Sequence, residues 1–427
     1  MNKECIKRRK NLMRMMAEDA IAILPAAAVK TRNSDVDHDY RQDSDFLYVT
    51  GFEEPEAVAV LIPGRSHGQY ILFSRERDPE METWHGRRAG QQGALERYDA
   101  DDAFPISDID EILPGLLEQR QRVFYTMGMN VEFDQRVFAW IKQLRDNSRS
   151  VTQAPHELIS LDYFVHEMRL FKSPHEIKMM KTAAKASVSA HQRALQSCQP
   201  GRYEYQIEAE LLYEFKKAGC ATAYPSIVDG GANGCILHYT ENNYVLQDGY
   251  LLLIDAGAEY QGYASDITRT FQVNGTFSAP QRALYDLVLE AQQAAIDAVQ
   301  PGNHWDQPHL AAVKVLTKGM VKLGILKGRP AQLIKEGAYC KYYMHRTGHW
   351  LGLDVHDVGD YKIDKEWRIF EPGMVLTVEP GIYIPDRSRG VPKCYWNTGI
   401  RIEDDVRVTN TGNEVLTAAL VKSAEDI

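Results

Sequence analysis

The 427-residue sequence lacks most of the features that assign a chain quickly. Its six cysteines, Cys5, Cys198, Cys220, Cys235, Cys340 and Cys394, include no CxxC pair. They are too sparse for a disulfide framework, so reduced thiols in a cytosolic chain are expected. No apolar run approaches the ~20 residues that span a bilayer. Positive charge is in deficit: 49 Lys and Arg against 59 Asp and Glu give a formal net charge of −10. That balance argues against a general nucleic-acid binder and against docking on anionic lipid, both of which need basic surface. The HExxH zinc signature is also absent.

What is present is ordinary globular composition, 44% hydrophobic and 25% charged, over a length that suits two or three domains. The first residues are basic and precede an apolar run, as in a signal peptide. Glu18 and Asp19 separate the two parts and Pro25 interrupts the run, so a basic amphipathic helix followed by a strand at residues 20–24 is expected instead. Further strands are expected at residues 46–50, 57–62, 70–73 and 123–126, with helices at 109–119 and 134–144. The polar stretch RDNSRSVTQAP, residues 145–155, reads as a candidate linker. The boundary is placed at 165/166, with a mixed α/β domain before it.

The second part repeats itself. Ser173-Pro174-His175-Glu176 carries the signature of a helix start, and Pro200-Gly201 ends that helix. A second helix over residues 203–218 and β-rich stretches at 223–229, 250–255 and 263–273 follow. A helix from Ala279-Pro280 then runs to Pro301-Gly302, another runs to about residue 323, and β-rich stretches come at 374–379 and 400–408. The order helix, Pro-Gly, helix, strands occurs twice, which suggests an internal duplication.

The chemistry-bearing residues lie in those β-stretches. Asp255 ends the apolar run Leu251 to Ile254, and Asp266 sits on the next strand. Glu379 ends a second apolar strand, and Arg401 and Glu403 share one face of a third. Taken singly, each carboxylate reads as a turn cap or a salt-bridge partner. A carboxylate closing an apolar strand is costly to bury unless it is paired or metal-bound. Between them lies MHRTGHWLGLDVHD with His345, His349 and His356, and His238 is a fourth histidine candidate. Together Asp255, Asp266, His349, Glu379 and Glu403 would make an oxygen-rich site with one imidazole. Four carboxylates in one cavity repel unless cations neutralise them. Hard oxygen donors suit two Mn²⁺ ions, with Co²⁺, Fe²⁺ or Zn²⁺ as other fits.

In this order and context the five residues resemble the dimetal motif of the pita-bread metallopeptidases. YRQDSDFLYVTGFEEPEAV, ILHYTEN, IDAGAEYQGYASDITRTF, HWLGLDVHDVG and GIRIEDD are similar to bacterial aminopeptidase P across nearly the whole chain. The resemblance implies an α/β (α+β) protein: an aminopeptidase P amino-terminal domain, residues 1–165, and a pita-bread catalytic domain with a pseudo-twofold repeat, residues 166–427. It implies a metallo-aminopeptidase that removes an N-terminal residue ahead of proline, by a hydroxide bridging two metals. Asp266 and Glu403 would bridge the ions, Asp255 would bind one, and His349 and Glu379 the other. Glu379 would carry the proton, His238 and His356 would hold the substrate and its intermediate, and Arg401 would orient Glu403 or its neighbours. His345, Tyr383 and Trp84 would line the proline pocket. A cytoplasmic homotetramer, with residues 35–45 approaching a neighbouring subunit, is also implied. Two stretches depart from the family pattern: Tyr395-Trp396-Asn397-Thr398, and the spacer Arg346-Thr347-Gly348. The alternatives are a prolidase confined to dipeptides, a non-catalytic binding protein, and a metal-free creatinase-type enzyme. The intact ligand set disfavours the last two.

Overall fold

The computed structural model describes residues 2–146 and 153–426. It divides into two compact units, Met1–Met168 and Arg169–Ile427. Among the described residues, no helix is long and apolar enough to cross a membrane.

The first unit is built on a mixed sheet. Its strands are β1 (Ala20–Pro25), β2 (Val58–Leu61), β3 (Tyr70–Ser74), β4 (Asp102–Pro105), β5 (Arg122–Phe124) and β6 (Glu157–Ile159). They stand in the order β4-β3-β2-β1-β5-β6. The β1–β2 and β2–β3 pairs are antiparallel, and β3–β4, β1–β5 and β5–β6 are parallel. Side chains two apart on a strand share a face. Ile21 and Ile23, Val58 and Val60, and Ile71 and Phe73 accordingly enter one core with Leu113, Val137 and Trp140 from helices Ile109–Leu117 and Val131–Asp146.

Two expectations for this unit need correction. Residues 46–50 form not a strand but part of the helix Ser44–Thr50. The aromatic and β-branched residues there favour a strand, but both ends of the segment are capped. The Asp43 carboxylate accepts from Phe46 N at 2.8 Å, and Gly51 closes the helix in the left-handed conformation. These caps satisfy orphan backbone groups and outweigh local propensity. The polar stretch 145–155 is no linker between the units, because it connects the helix Val131–Asp146 to β6 of the same sheet. Residues 147–152 of it lie outside the described residues.

The second unit shows the duplication as two helix pairs. α1 (Pro174–Ser197) and α2 (Glu204–Lys217) form the first, and α3 (Ala279–Ala298) and α4 (Asp306–Lys322) the second. α1 and α3 open alike. Ser173 and Glu176 make a reciprocal capping box, as do Ser278 and Gln281, each with proline in the first turn. Both Pro-Gly breaks also turn alike, with Gly201 at φ 90° and Gly302 at φ 89°, a conformation that favours glycine.

Each helix pair is followed by antiparallel strands. The first set is β7 (Ile227–Gly230), β8 (Leu251–Asp255) and β9 (Thr268–Gln272). The second is β10 (Val375–Val378), β11 (Gly381–Ile384), β12 (Thr398–Arg401) and β13 (Asp404–Val408), with β10 paired to β13 and β11 to β12. One core holds Ile207, Leu211 and Phe215 of α2 with Val228, Leu252, Ile254 and Phe271. Another holds Leu284, Val288, Leu316 and Met320 with Ile382, Ile400 and Val406. The halves are joined at the strands: Glu403 N donates to Thr268 O at 3.0 Å, and Thr270 Oγ1 donates to Arg401 O at 3.0 Å. Residues 400–408 are not one strand. β12 ends at Arg401 and β13 begins at Asp404, which leaves Ile402 and Glu403 at the corner between them.

Candidate metal centre

The alternation of β8 sends Leu252 and Ile254 into the helix core, so Asp255 lies on the opposite face. The β8–β9 register sets Asp255 across from Thr268, which brings Asp266, just before β9, close to it. In the other half Glu379 follows β10. The loop carrying His345 and His349 runs beside that strand: Thr377 N donates to His349 O at 2.9 Å and Glu379 N to Thr347 O at 2.8 Å. Gly348 makes this approach feasible, because a Cβ there would stand 1.9 Å from Thr377 O. The unusual spacer between the two histidines thus has a steric reason at its last position.

Ligand atoms of Asp266, His349 and Glu403 all lie within 4.8 Å of one another. His349 Nε2 is 3.4 Å from Asp266 and 3.8 Å from Glu379. Its Nδ1 lies 2.9 Å from Trp350 O, an acceptor only, so Nδ1 carries a proton and Nε2 faces the carboxylates. One cavity of about 380 Å³ is lined by Asp255, Asp266, His349, Glu379 and Glu403, and also by His238, His345, His356 and Arg401. The His356 ring is centred 4.3 Å from that of His349.

Arg401 is the counter-charge inside this cluster. It donates to Asp255 at 2.6 Å through Nη2, to Tyr383 at 3.0 Å through Nη1 and to Thr268 at 3.0 Å through Nε. Its carboxylate partner is therefore Asp255, while Thr268 Oγ1 donates to Glu403 at 2.6 Å and relays the connection. The Tyr383 hydroxyl lies 2.8 Å from His345 Nε2, and His345 Nδ1 lies 2.7 Å from Arg346 O. Protons are thus ordered from Arg401 through Tyr383 and His345 to a carbonyl. Tyr383 is fully buried behind His345 rather than on the cavity wall. Trp84 belongs to the first unit, on the helix Pro79–His85, and is 77% exposed.

The electrostatics of the cluster call for cations. Burial pushes the carboxyls of Asp255 and Glu403 upward, Glu403 well above its usual range, and Glu379 up to about 7. Burial also acts on Asp266, but the hydrogen bond and charge of His349 hold it below the usual value. Burial opposes the charging of His349, yet Asp266 and Glu379 raise it to about 9. Left alone, such a group of carboxylates relieves its repulsion by keeping protons. Divalent ions do the same by replacing them, so two buried carboxylates, two half-buried ones and one imidazole form a donor set that fits hard divalent metals.

Several residues here escaped the sequence. The Tyr224 hydroxyl sits between Asp255 and Asp266, 2.6 Å from the first. Asp405 accepts from Ser265 Oγ at 2.9 Å and from Asp266 N at 3.1 Å, which fixes the backbone of a ligand from behind. Asp229 is buried on β7, has one oxygen without a partner among the described residues, and is pushed up to about 9 mainly by burial. In the sequence both Tyr224 and Asp405 fall in stretches read as β-rich, with nothing to single them out.

A mixed α/β unit followed by a duplicated helix–strand unit that encloses this donor set defines a metallohydrolase of the pita-bread class. The model of metallopeptidase family M24 matches residues 178–410, and that of the aminopeptidase P amino-terminal domain matches residues 5–125. The Xaa-Pro aminopeptidase of Escherichia coli (strain K12) is 47% identical over 424 residues, which is 99% of this chain and 96% of that one. The solved structure of Pseudomonas aeruginosa aminopeptidase PepP superposes with a TM-score of 0.99 at 56% identity, over 100% of this chain and 97% of that one. The Zn-substituted E. coli aminopeptidase P in complex with product gives a TM-score of 0.97 at 46% identity, covering 100% and 97%. The chain belongs to metallopeptidase family M24, in its aminopeptidase P branch.

Proposed function

We propose that this chain is a metal-dependent exopeptidase that hydrolyses the bond between an N-terminal residue and a penultimate proline. The convergence of Asp266, His349 and Glu403 in one cavity, with Asp255 and Glu379 on its wall, carries the reading. The full-length likeness to Xaa-Pro aminopeptidases supports the substrate class.

Asp266 and Glu403, with Asp255, His349 and Glu379 beside them, would hold the metal ions. When bound, the metals polarise the scissile carbonyl and make a water nucleophilic near neutral pH. The remaining work falls to the chain. Glu379, on the cavity wall, would accept the proton of the attacking water and deliver it to the proline nitrogen as the C–N bond breaks. An amide nitrogen leaves only once it is protonated, so delivery is required. His356 and His238 offer hydrogen bonds to the substrate along the wall. His345, held neutral by burial and fixed by Tyr383, offers a flat side for the proline ring. Arg401 steadies Asp255 and Tyr383.

Oxygen-rich donors support Mn²⁺ as the resident pair. A homotetramer in the cytoplasm, and a part for Trp84 in substrate binding, rest on the family likeness. The deciding experiment assays Xaa-Pro dipeptides and longer Xaa-Pro peptides after chelation, then after adding Mn²⁺, Co²⁺ or Zn²⁺. Activity should vanish on chelation and return with metal. Full activity without divalent ion would refute the mechanism, and cleavage of dipeptides alone would make the chain a prolidase.

A further inference from the structure

Of the side chains lining the catalytic cavity, the proposed chemistry leaves Arg346 without a task. Among the described residues on that wall, the guanidinium groups are those of Arg346 and Arg401. Arg401 is buried and committed to Asp255, Tyr383 and Thr268. Arg346 differs: its side chain is 47% exposed. It is nonetheless held in place, because Nη2 donates to Asp306 at the start of α4 and the guanidinium lies 5.2 Å from the centre of the Trp367 ring. A guanidinium offers five donors in a planar fork suited to carboxylates. With one contact spent on Asp306 and nearly half the side chain open, donors remain for a ligand.

The proposed metal ligands fix where the scissile bond lies in the cavity. Arg346 directly follows His345, which the proposed function sets beside the proline. A chain leaving the proline along this wall would run past the charge of Arg346. Resting on the exopeptidase reading above, we propose that Arg346 is a specificity residue that reads a carboxylate just beyond the proline, on the leaving-group side. In a tripeptide that carboxylate is the free C-terminus. In a longer peptide it is an acidic side chain at the third position.

The test compares kcat and KM for Ala-Pro-Ala as free acid, Ala-Pro-Ala amide and Ala-Pro-Glu amide, with the metal-loaded wild type, Arg346→Gln and Arg346→Lys. The free acid should exceed the amide by about fivefold in kcat/KM, the upper end for a half-exposed charge pair, with the difference in KM. A gain of similar size for Ala-Pro-Glu amide assigns the recognition to any carboxylate at that place. A gain for the free acid alone assigns it to the terminus. The preference should fall as salt is raised, collapse in Arg346→Gln and partly survive in Arg346→Lys. An Arg346 that served only to hold Asp306 and Trp367 would leave the acid-to-amide ratio unmoved. Equal cleavage of all three peptides by the wild type, or the same preference in Arg346→Gln, would overturn the proposal while leaving the exopeptidase reading intact. No cleavage of any peptide would overturn both.

Discussion

Thr268 tests whether the environment of the metal ligands, and not the ligands alone, makes the site. It is fully buried, donates to Glu403 Oε2 at 2.6 Å and accepts from Arg401 Nε at 3.0 Å. Thr268→Val preserves the shape and removes both bonds. Losing a charge-assisted bond to a carboxylate costs about 1.5–3 kcal/mol, and a buried donor left unpaired on Arg401 costs about 1–3 kcal/mol. Thr270, two residues on and equally buried, provides the control. Its hydroxyl donates to Arg401 O at 3.0 Å and accepts from Arg401 N at 3.2 Å, so Thr270→Val spends similar energy on backbone groups without touching a ligand. Both variants should lose stability in a denaturant titration. Only Thr268→Val should weaken metal binding, by about 10–100-fold, the range for residues that orient a ligand. Competition against a chelator of known affinity reads this directly, and activity at saturating Mn²⁺ should largely return. Equal metal affinities in the two variants would refute the idea that Thr268 sets Glu403 for the metal.

Glu379→Gln keeps the size of the side chain and removes its proton chemistry. At saturating metal, kcat on a Xaa-Pro-Yaa peptide should fall about 10²–10⁴-fold, and a loss below tenfold would take the shuttle away from Glu379. Asp357 gives a pH prediction away from the ligands. Burial raises its carboxyl, but Lys172 at 2.8 Å and Arg169 at 2.6 Å outweigh it and hold the group below its usual value. A depressed folded value means stability that is fully present above the unfolded value of about 3.9 and is lost as pH falls through the folded one. Asp357→Asn should cost about 3–5 kcal/mol at neutral pH, because it leaves the buried Lys172 without its anion and takes one of two carboxylates from Arg169. The gap between wild type and variant should narrow below about pH 4 in urea titrations, and a gap that widened there would contradict the assignment.

The parts of this protein legible in the sequence are those fixed by short-range patterns. The Ser-Pro-x-Glu start of α1 and the two Pro-Gly breaks appear as expected, because capping and left-handed turns depend on a few adjacent residues. Two of the five proposed ligands, Asp255 and Glu379, stand out in the sequence for a related reason. A carboxylate that ends a buried apolar strand has a high cost, so its mere presence signals a partner. The same logic fails where the partner sets the meaning. Nothing around Tyr224 distinguishes it from other aromatic residues near a strand, and only the β8–β9 register brings Asp255 and Asp266 together on its hydroxyl. Asp405 is one of three adjacent acids in IEDD, and only the corner at Ile402 and Glu403 turns it inward to hold Asp266 N. Residues 46–50 were misread by the converse error, with side-chain preference given more weight than the Asp43 and Gly51 caps.

The misreadings share a cause, and it has a consequence for function. Residues that act through other residues leave little trace in sequence spacing, because their positions follow from pairing between distant strands. In this unit the carboxylates are supplied by both halves, while Arg401 from the second half holds Asp255 and Thr268 of the first. Thr268 in turn holds Glu403 of the second. No single half contains a complete ligand set or a complete set of supports. The duplication therefore does more than double a scaffold: each half orients the ligands of the other. A substitution that loosens the β8–β9 and β12 junction should thus disturb ligands from both halves at once, even where it touches neither carboxylate.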